Sequence, residues 1–436
     1  TGYPISVTED SDQHSLEVRL SNQTPELKWV LGGYLFVEDV KAKEFYNLAN
    51  NGSRRDADLS TNSVAVFGEA TYSLSPSLRL TAGARHTRDR KKQVTEAHSY
   101  PFFGFVDPAF PLFRPIIGDI RTDALTNVTF SATTWKVGVE ADVGPQSLLY
   151  ATASTGFKSG VLFAALGSNY SRPEKITAYT VGSKNRFAGG TIQLNAEAFY
   201  WDYKDQQISH LAPVVVATVG QNAIYGPVFR TSNAGAATIY GAEVDLIAKI
   251  DPTFIATASI QYLHSNYDRF EYQAYSNPGQ GQPGQPPVAG PPPVNGCTST
   301  LTGLTAALPL ARIYDVDCSG KPLVNAPRWT LNLGLEKTFS LGGAGNLRIG
   351  LDNRIESSRF LSVDFMNIAR QDRYWTSNAN LTWSNSQGDL SISAYISNIQ
   401  NRLIYSNSIQ NPGKPGTFYN QLRSPRLFGM RVSKKI

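Results

Sequence analysis

Residues 330–356 read TLNLGLEKTFSLGGAGNLRIGLDNRIE. In an extended chain Leu331, Leu333, Leu335 and Phe339 share one face. Thr330, Asn332, Gly334, Glu336 and Thr338 share the other. The second half repeats the split, with Leu347, Ile349, Leu351 and Ile355 opposite Arg348, Gly350, Asp352, Arg354 and Glu356. Gly342 and Gly343 between the halves mark a tight turn. The stretch therefore predicts an antiparallel hairpin with one apolar face and one charged face.

The same period of two runs through Leu78, Leu80, Ala82 and Ala84 against Arg79, Thr81, Gly83 and Arg85. It returns at Leu390, Ile392, Ala394 and Ile396 against Ser391, Ser393, Tyr395 and Ser397. A sandwich strand with its apolar face in a core alternates in this way too. Loop lengths separate the two readings. The pattern predicts fifteen strands, near 13–20, 27–38, 62–75, 77–89, 127–142, 146–156, 175–188, 191–208, 229–250, 253–268, 327–341, 345–358, 373–386, 388–398 and 425–436. Short connections at Asn22–Glu26, Ser75–Ser77, Gly144–Pro145, Gly189–Gly190, Asp251–Pro252, Gly342–Gly343 and Asn385–Gln387 alternate with long ones at 39–61, 90–126, 157–174, 209–228, 269–326, 359–372 and 399–424. Tight turns at one end and long loops at the other are what an outer-membrane barrel requires, and a sandwich or propeller gives no reason for that parity. The expected fold is all-β: a transmembrane antiparallel up-and-down barrel with short periplasmic turns and long extracellular loops. Trp29, Tyr72, Trp135, Tyr179, Trp201, Tyr203 and Trp383 lie near strand ends, where aromatic girdles would sit; isolated packing aromatics are the plainer alternative for any one of them.

Composition agrees. The 436 residues hold 21 Tyr, 21 Phe and 36 Gly but only 2 Met, which suits strands and turns better than helices. A mean hydropathy of −0.25 does not argue for a soluble protein, because wet and lipid-facing residues alternate and cancel. No run of eighteen apolar residues offers a transmembrane helix. The formal net charge of +5 is spread without a block of like charges, so nucleic acid is not an expected partner. Residue 1 is Thr and no leader-like segment is visible, so the expectation is a fragment or a trimmed chain.

Several stretches stand in a recognisable order. They are Tyr150-Ala-Thr-Ala-Ser-Thr-Gly-Phe-Lys-Ser-Gly160, Pro173-Glu-Lys-Ile-Thr-Ala-Tyr-Thr-Val-Gly-Ser-Lys184, Asn195-Ala-Glu-Ala-Phe-Tyr-Trp-Asp-Tyr-Lys-Asp-Gln-Gln-Ile208 and Asn233-Ala-Gly-Ala-Ala-Thr-Ile-Tyr-Gly-Ala-Glu-Val-Asp245. Asn325-Ala-Pro-Arg-Trp-Thr330, Ile396-Ser-Asn-Ile399 and Arg423-Ser-Pro-Arg-Leu-Phe-Gly429 follow. Each is weak alone; together they make the chain resemble the C-terminal part of a TonB-dependent outer-membrane receptor. The resemblance implies a place in the outer membrane of a Gram-negative bacterium and a barrel of the twenty-two-stranded, plugged class. Residues 1–436 would then be a partial barrel domain, its last fifteen strands, with the N-terminal plug, TonB box, signal peptide and first seven strands absent. It further implies partners: outer-membrane lipid, the TonB complex acting through the plug, and a scarce nutrient, most often a ferric siderophore. Cobalamin, haem or glycans are alternatives within the family, and a passive porin-like channel or an adhesive barrel are alternatives outside it. The terminal strand departs from the family, since Met430, Val432, Lys434 and Ile436 share a face where aromatics are usual, and Lys434 would snorkel.

Candidate residues fall into three groups. Arg79, Arg85, Arg348, Asp352, Arg354 and Glu356 are expected to face the lumen, either docking a plug, lining a solute path, or simply meeting water. Segment 99–121 carries Phe102, Phe103, Phe105, Phe110, Phe113, Arg114 and Arg121, a surface suited to an aromatic, anionic ligand or else a loop packed on itself. Phe157, Lys158, Tyr170 and Arg172, with Phe163, are a second candidate ligand surface. Cys297 and Cys318 are expected to form a disulfide, since an outer-membrane protein passes through an oxidising compartment; a metal pair is the poorer alternative, with no His nearby. His14, His86, His98, His210 and His264 have no metal-binding spacing, and no nucleophile motif or phosphate loop is evident. Neither an enzyme nor a cofactor is expected.

Overall fold

The computed structural model describes residues 5–48, 51–101, 120–162, 170–219, 222–276, 292–304, 312–411 and 416–435. Fifteen long strands run through them. They are β1 (Ile5–Gln23), β2 (Leu27–Leu48), β3 (Asn51–Ser75), β4 (Leu78–Pro101) and β5 (Ile120–Gly144). Next come β6 (Ser147–Lys158), β7 (Glu174–Phe187), β8 (Ile192–Val219), β9 (Asn222–Asp251) and β10 (Phe254–Ser276). The last are β11 (Trp329–Ser340), β12 (Asn346–Glu356), β13 (Tyr374–Ser384), β14 (Leu390–Ser397) and β15 (Leu427–Lys434). Each pairs antiparallel with its neighbours in sequence, so the chain is one continuous meander with β1 and β15 at its edges.

Register carries the alternation from strand to strand. Ile260 of β10 faces Leu331 of β11, which faces Ile355 of β12, which faces Trp375 of β13. Leu16, Leu35, Val64, Val66 and Leu80 belong to the same apolar face, and most are about half exposed. A folded chain can leave such a surface uncovered only in lipid, so this face is the outer one. Trp29, Tyr72, Trp135, Tyr179 and Trp383 lie on it. Trp201 and Tyr203 do not. The outer face of β8 is set by Leu194, Ala196, Ala198 and Tyr200, so both residues, one and three positions beyond Tyr200, point inward. Trp201 stacks there on Phe199, with ring centroids 4.7 Å apart.

The turns at one end are tight. Between β11 and β12, Leu341 N–H donates to the Gly345 carbonyl at 2.8 Å, and Gly345 N–H to Gly342 at 3.0 Å. The other end differs from expectation. Segments 39–61, 90–126 and 209–228 are not wholly loop: β2 and β3 stay paired as far as Leu48 and Asn51, β3 and β4 to Asn51 and Pro101, and β8 and β9 to Val219 and Asn222. β3 has 25 residues and β9 has 30, against the roughly 9–11 that a tilted strand needs to span a bilayer. Beyond the membrane both faces are wet, so apolar alternation stops while backbone pairing continues. That is why the pattern ends before the strands do.

Among the described residues, the largest packed apolar cluster lies on the extracellular side. Ile208, Ala237, Tyr267, Phe270, Val316 and Phe365 pack around Cys318 at the far ends of β8–β10. A hairpin of Thr298–Leu304 and Arg312–Asp317 extends the β10 ladder there, with Tyr272 opposite Val316. Cys297 and Cys318 are joined by a disulfide, with Cα atoms 4.9 Å apart. Gly296 N–H donates to the Asp364 carbonyl at 2.7 Å, tying this loop to 359–372. The two loops thus form one cap. Replacing both cysteines by Ala is expected to weaken the cap by about 3 kcal/mol, the scale for closing a loop of this length. Limited proteolysis should then cut within 292–318, while the barrel itself stays folded in SDS without heating.

Candidate functional site

On the inner face, every second residue of each strand meets its lateral neighbours. Arg79 Nε donates to Glu140 at 3.1 Å and its Nη2 to Asp142 at 2.9 Å. Arg85 lies over both Tyr34 and Phe67, 5.4 Å from each ring centroid, and donates to Thr87 Oγ1 at 3.1 Å. Tyr150 donates to Glu197 at 2.6 Å with Lys184 over its ring. Arg348 stands 3.9 Å from Glu336, and Asp352 faces Gly334 across the β11–β12 ladder. The wall is thus mostly paired, with alternating signs.

At the extracellular end of β12 the arrangement changes. Glu356 is only 2% exposed. Arg354 Nη2 donates to it at 2.7 Å, Tyr374 OH donates at 3.0 Å, and Arg359 is in direct ion contact. Arg354 also donates to Asn332 at 3.0 Å, and Arg423 Nη1 reaches Tyr374 OH at 3.1 Å. Two guanidiniums therefore hold one carboxylate, and a third reaches it through the Tyr374 hydroxyl. Burial lowers the Arg359 pKa from its ordinary value; Arg423 and Arg354 push the same way, against Tyr374. The local field is positive.

A second cluster gathers the quoted motifs. Glu174 is buried at the start of β7 and accepts from Tyr203 OH at 2.8 Å and from Gln207 N–H at 2.7 Å, with Lys158 Nζ at 3.6 Å. Gln207 Nε2 donates to the carbonyls of Ser159 and Arg172, at 2.9 and 3.0 Å. Asn233 Nδ2 donates to the Arg172 and Asp205 carbonyls, both at 2.8 Å, and Arg172 N–H returns to Asn233 Oδ1 at 2.7 Å. Stretches far apart in sequence thus form one knot at the rim of β6–β9. Arg172 also pairs with Asp205 at 2.8 Å. Phe157 lies opposite Lys175 in the β6–β7 ladder, and Tyr170 sits edge-on to Phe130, 6.0 Å between centroids. Lys158 and Arg172 are therefore drawn into ion pairs at this rim and Tyr170 into ring packing.

Arg121 is exposed and pairs with Asp123 at 2.9 Å and Glu96 at 3.2 Å. Phe102, Phe103, Phe105, Phe110, Phe113, Arg114 and Phe163 lie outside the described residues. Arg359 and Tyr374 carry no sequence signal of their own. Arg423 opens one of the quoted motifs, and Glu174, Tyr203, Gln207 and Asn233 sit inside others, with no role assigned to them from sequence.

A meander with tight turns at one end, an apolar outer face and a charged inner one defines an outer-membrane β-barrel. The chain belongs to the family of TonB dependent receptor-like β-barrels, whose model matches residues 4–399. That family lies in the outer membrane of Gram-negative bacteria and is made of transport and receptor barrels, not enzymes. Among solved structures, the ferric yersiniabactin uptake receptor FyuA from Yersinia pestis superposes with a TM-score of 0.72 at 16% identity, over 100% of this chain and 56% of that one. The siderophore receptor PiuA from Acinetobacter baumannii gives 0.64 at 13% identity, over 98% and 56%. The copper transporter OprC gives 0.62 at 13% identity, over 99% and 57%. The chain thus spans little more than half the length of these structures, and at such identities the likeness is one of fold. No curated protein matches it.

Proposed function

We propose that this chain walls a transporter that imports ferric siderophores, with a plug domain held by the inner face and worked by the TonB complex. The observation that carries the reading is the mouth cluster: Arg354 and Arg359 on the single carboxylate Glu356, with Arg423 joined to it through the Tyr374 hydroxyl. An excess of guanidiniums at an extracellular rim suits a ligand whose iron is wrapped in anionic oxygens. FyuA and PiuA, which share the fold, are named for siderophores, and OprC for copper, so the names of these neighbours turn on metal uptake. The alternating charges at Arg79, Glu140, Asp142, Arg348, Asp352 and Glu336 suit a docked plug better than a path for one sign of solute.

Growth on iron-chelated medium tests this. A deletion strain should fail to use one ferric siderophore and regain it with the intact gene. Arg423→Gln should weaken that ligand about tenfold, the effect of one lost charge-assisted hydrogen bond. If deletion leaves uptake of every ferric ligand intact, the assignment fails; loss of cobalamin, haem or glycan uptake instead would replace it.

A further inference from the structure

The outer face is not flat everywhere. Toward the extracellular ends of β11 and β12, Leu331 and Ile355 stand side by side in register with Ile260 of the longer β10. Trp329 and the turn at Ser357 and Ser358 close over them, leaving an open recess of about 730 Å³, the size of a ligand cleft. Tyr262 tilts onto Trp329 with centroids 4.8 Å apart, and Trp375 on the next strand is 52% exposed. Such rings mark the level where acyl chains give way to headgroups. The mouth of the recess is cationic. Arg370 is held in place by a 2.7 Å hydrogen bond to Ser358 Oγ and by the Phe360 ring, 5.9 Å from its guanidinium carbon. Arg373 is exposed and has no ion pair among the described residues. Two carboxylates line the recess, Asp372 and Glu356, and Glu356 is already enclosed by Arg354 and Arg359.

We propose that this recess binds a phosphorylated, multiply acylated lipid of the outer leaflet. An acyl chain lies on Ile260, Leu331 and Ile355, and a phosphate sits between Arg370 and Arg373, whose planar forks match its oxygens. An apolar floor alone would accept any acyl chain, and the cations alone any anion; joined in one recess, they select a molecule that carries both. The site lies on the lipid side, so it stands or falls separately from the uptake reading.

Native mass spectrometry of the full-length protein in mild detergent gives the test, with lipid A as probe and phosphatase-treated lipid A as its control. One lipid A should be retained, at least tenfold more tightly than the dephosphorylated form. The double variant Arg370→Gln/Arg373→Gln should bind both forms alike, at the weaker level. Leu331→Trp, which fills the floor without touching charge, should lose both, and unheated SDS mobility would show that each variant is folded. Equal retention of the two lipids by the unaltered protein would overturn the proposal. So would unchanged binding in the double variant, or displacement of lipid A by inorganic phosphate at the same concentration.

Discussion

Glu356→Ala is expected to destabilise the extracellular end of the barrel by about 3–5 kcal/mol, the cost of stripping one partner from a buried ion network. Arg354 and Arg359 would then face each other with no carboxylate between them, Arg423 would stand close by, and the Tyr374 hydroxyl would lose its acceptor. Denaturant unfolding of the protein in detergent, followed by tryptophan emission, measures the loss. Glu356→Gln keeps the shape and an acceptor oxygen, so it should fall between the two. Asp123→Ala removes a carboxylate from an exposed pair with Arg121 and should cost under about 1 kcal/mol. Equal losses at Glu356 and Asp123 would mean that burial adds nothing at the mouth.

Gly345→Ala should be worse tolerated still. Gly345 has φ +97°, in the region that side-chain-bearing residues avoid, and a Cβ there would lie 1.9 Å from the Ser384 carbonyl oxygen. The conformation alone costs about 1–3 kcal/mol, and the contact can be relieved only by moving the end of β13. Three strands meet at this point, since Trp383 Nε1 of β13 donates to the Ala344 carbonyl of the β11–β12 turn at 2.8 Å. Folded protein recovered from the outer membrane should fall at least about tenfold, read as the fraction that runs compactly in unheated SDS gels. Gly343→Ala is the matched control: its added Cβ meets nothing within 4 Å and its φ is not positive, so yield should not change.

The strand bodies were legible because the membrane imposes a period of two on them. Leu331 and Ile355 must face lipid, Arg354 and Glu356 must not, and a single hairpin states the rule. The extended ribbons of β2–β3 and β8–β9 were not legible, because above the bilayer a strand needs only backbone partners. Trp201 and Tyr203 show the limit of reading aromatics by position: proximity to a strand end says nothing of face, whereas the parity of Leu194, Ala196 and Tyr200 does. The site was half legible. Glu356 could be placed on the polar face, but its partners could not: Arg359 folds back on it from three residues on, Tyr374 comes from β13, and Arg423 reaches Tyr374 from beyond β14. Glu174, Gln207 and Asn233 lie on β7, β8 and β9, and only the register between those strands brings them together.

Alternate residues of one strand face lipid and a polar interior. Spin labels placed singly at 346–356, with the protein reconstituted in lipid vesicles, test this most directly. Labels at Leu347, Ile349 and Leu351 should be relaxed more by oxygen, which concentrates in the acyl region. Labels at Arg348, Gly350, Asp352 and Arg354 should be relaxed more by a water-soluble nickel chelate, giving a strict period of two. A period near 3.6, or aqueous relaxation at every position, would contradict the barrel.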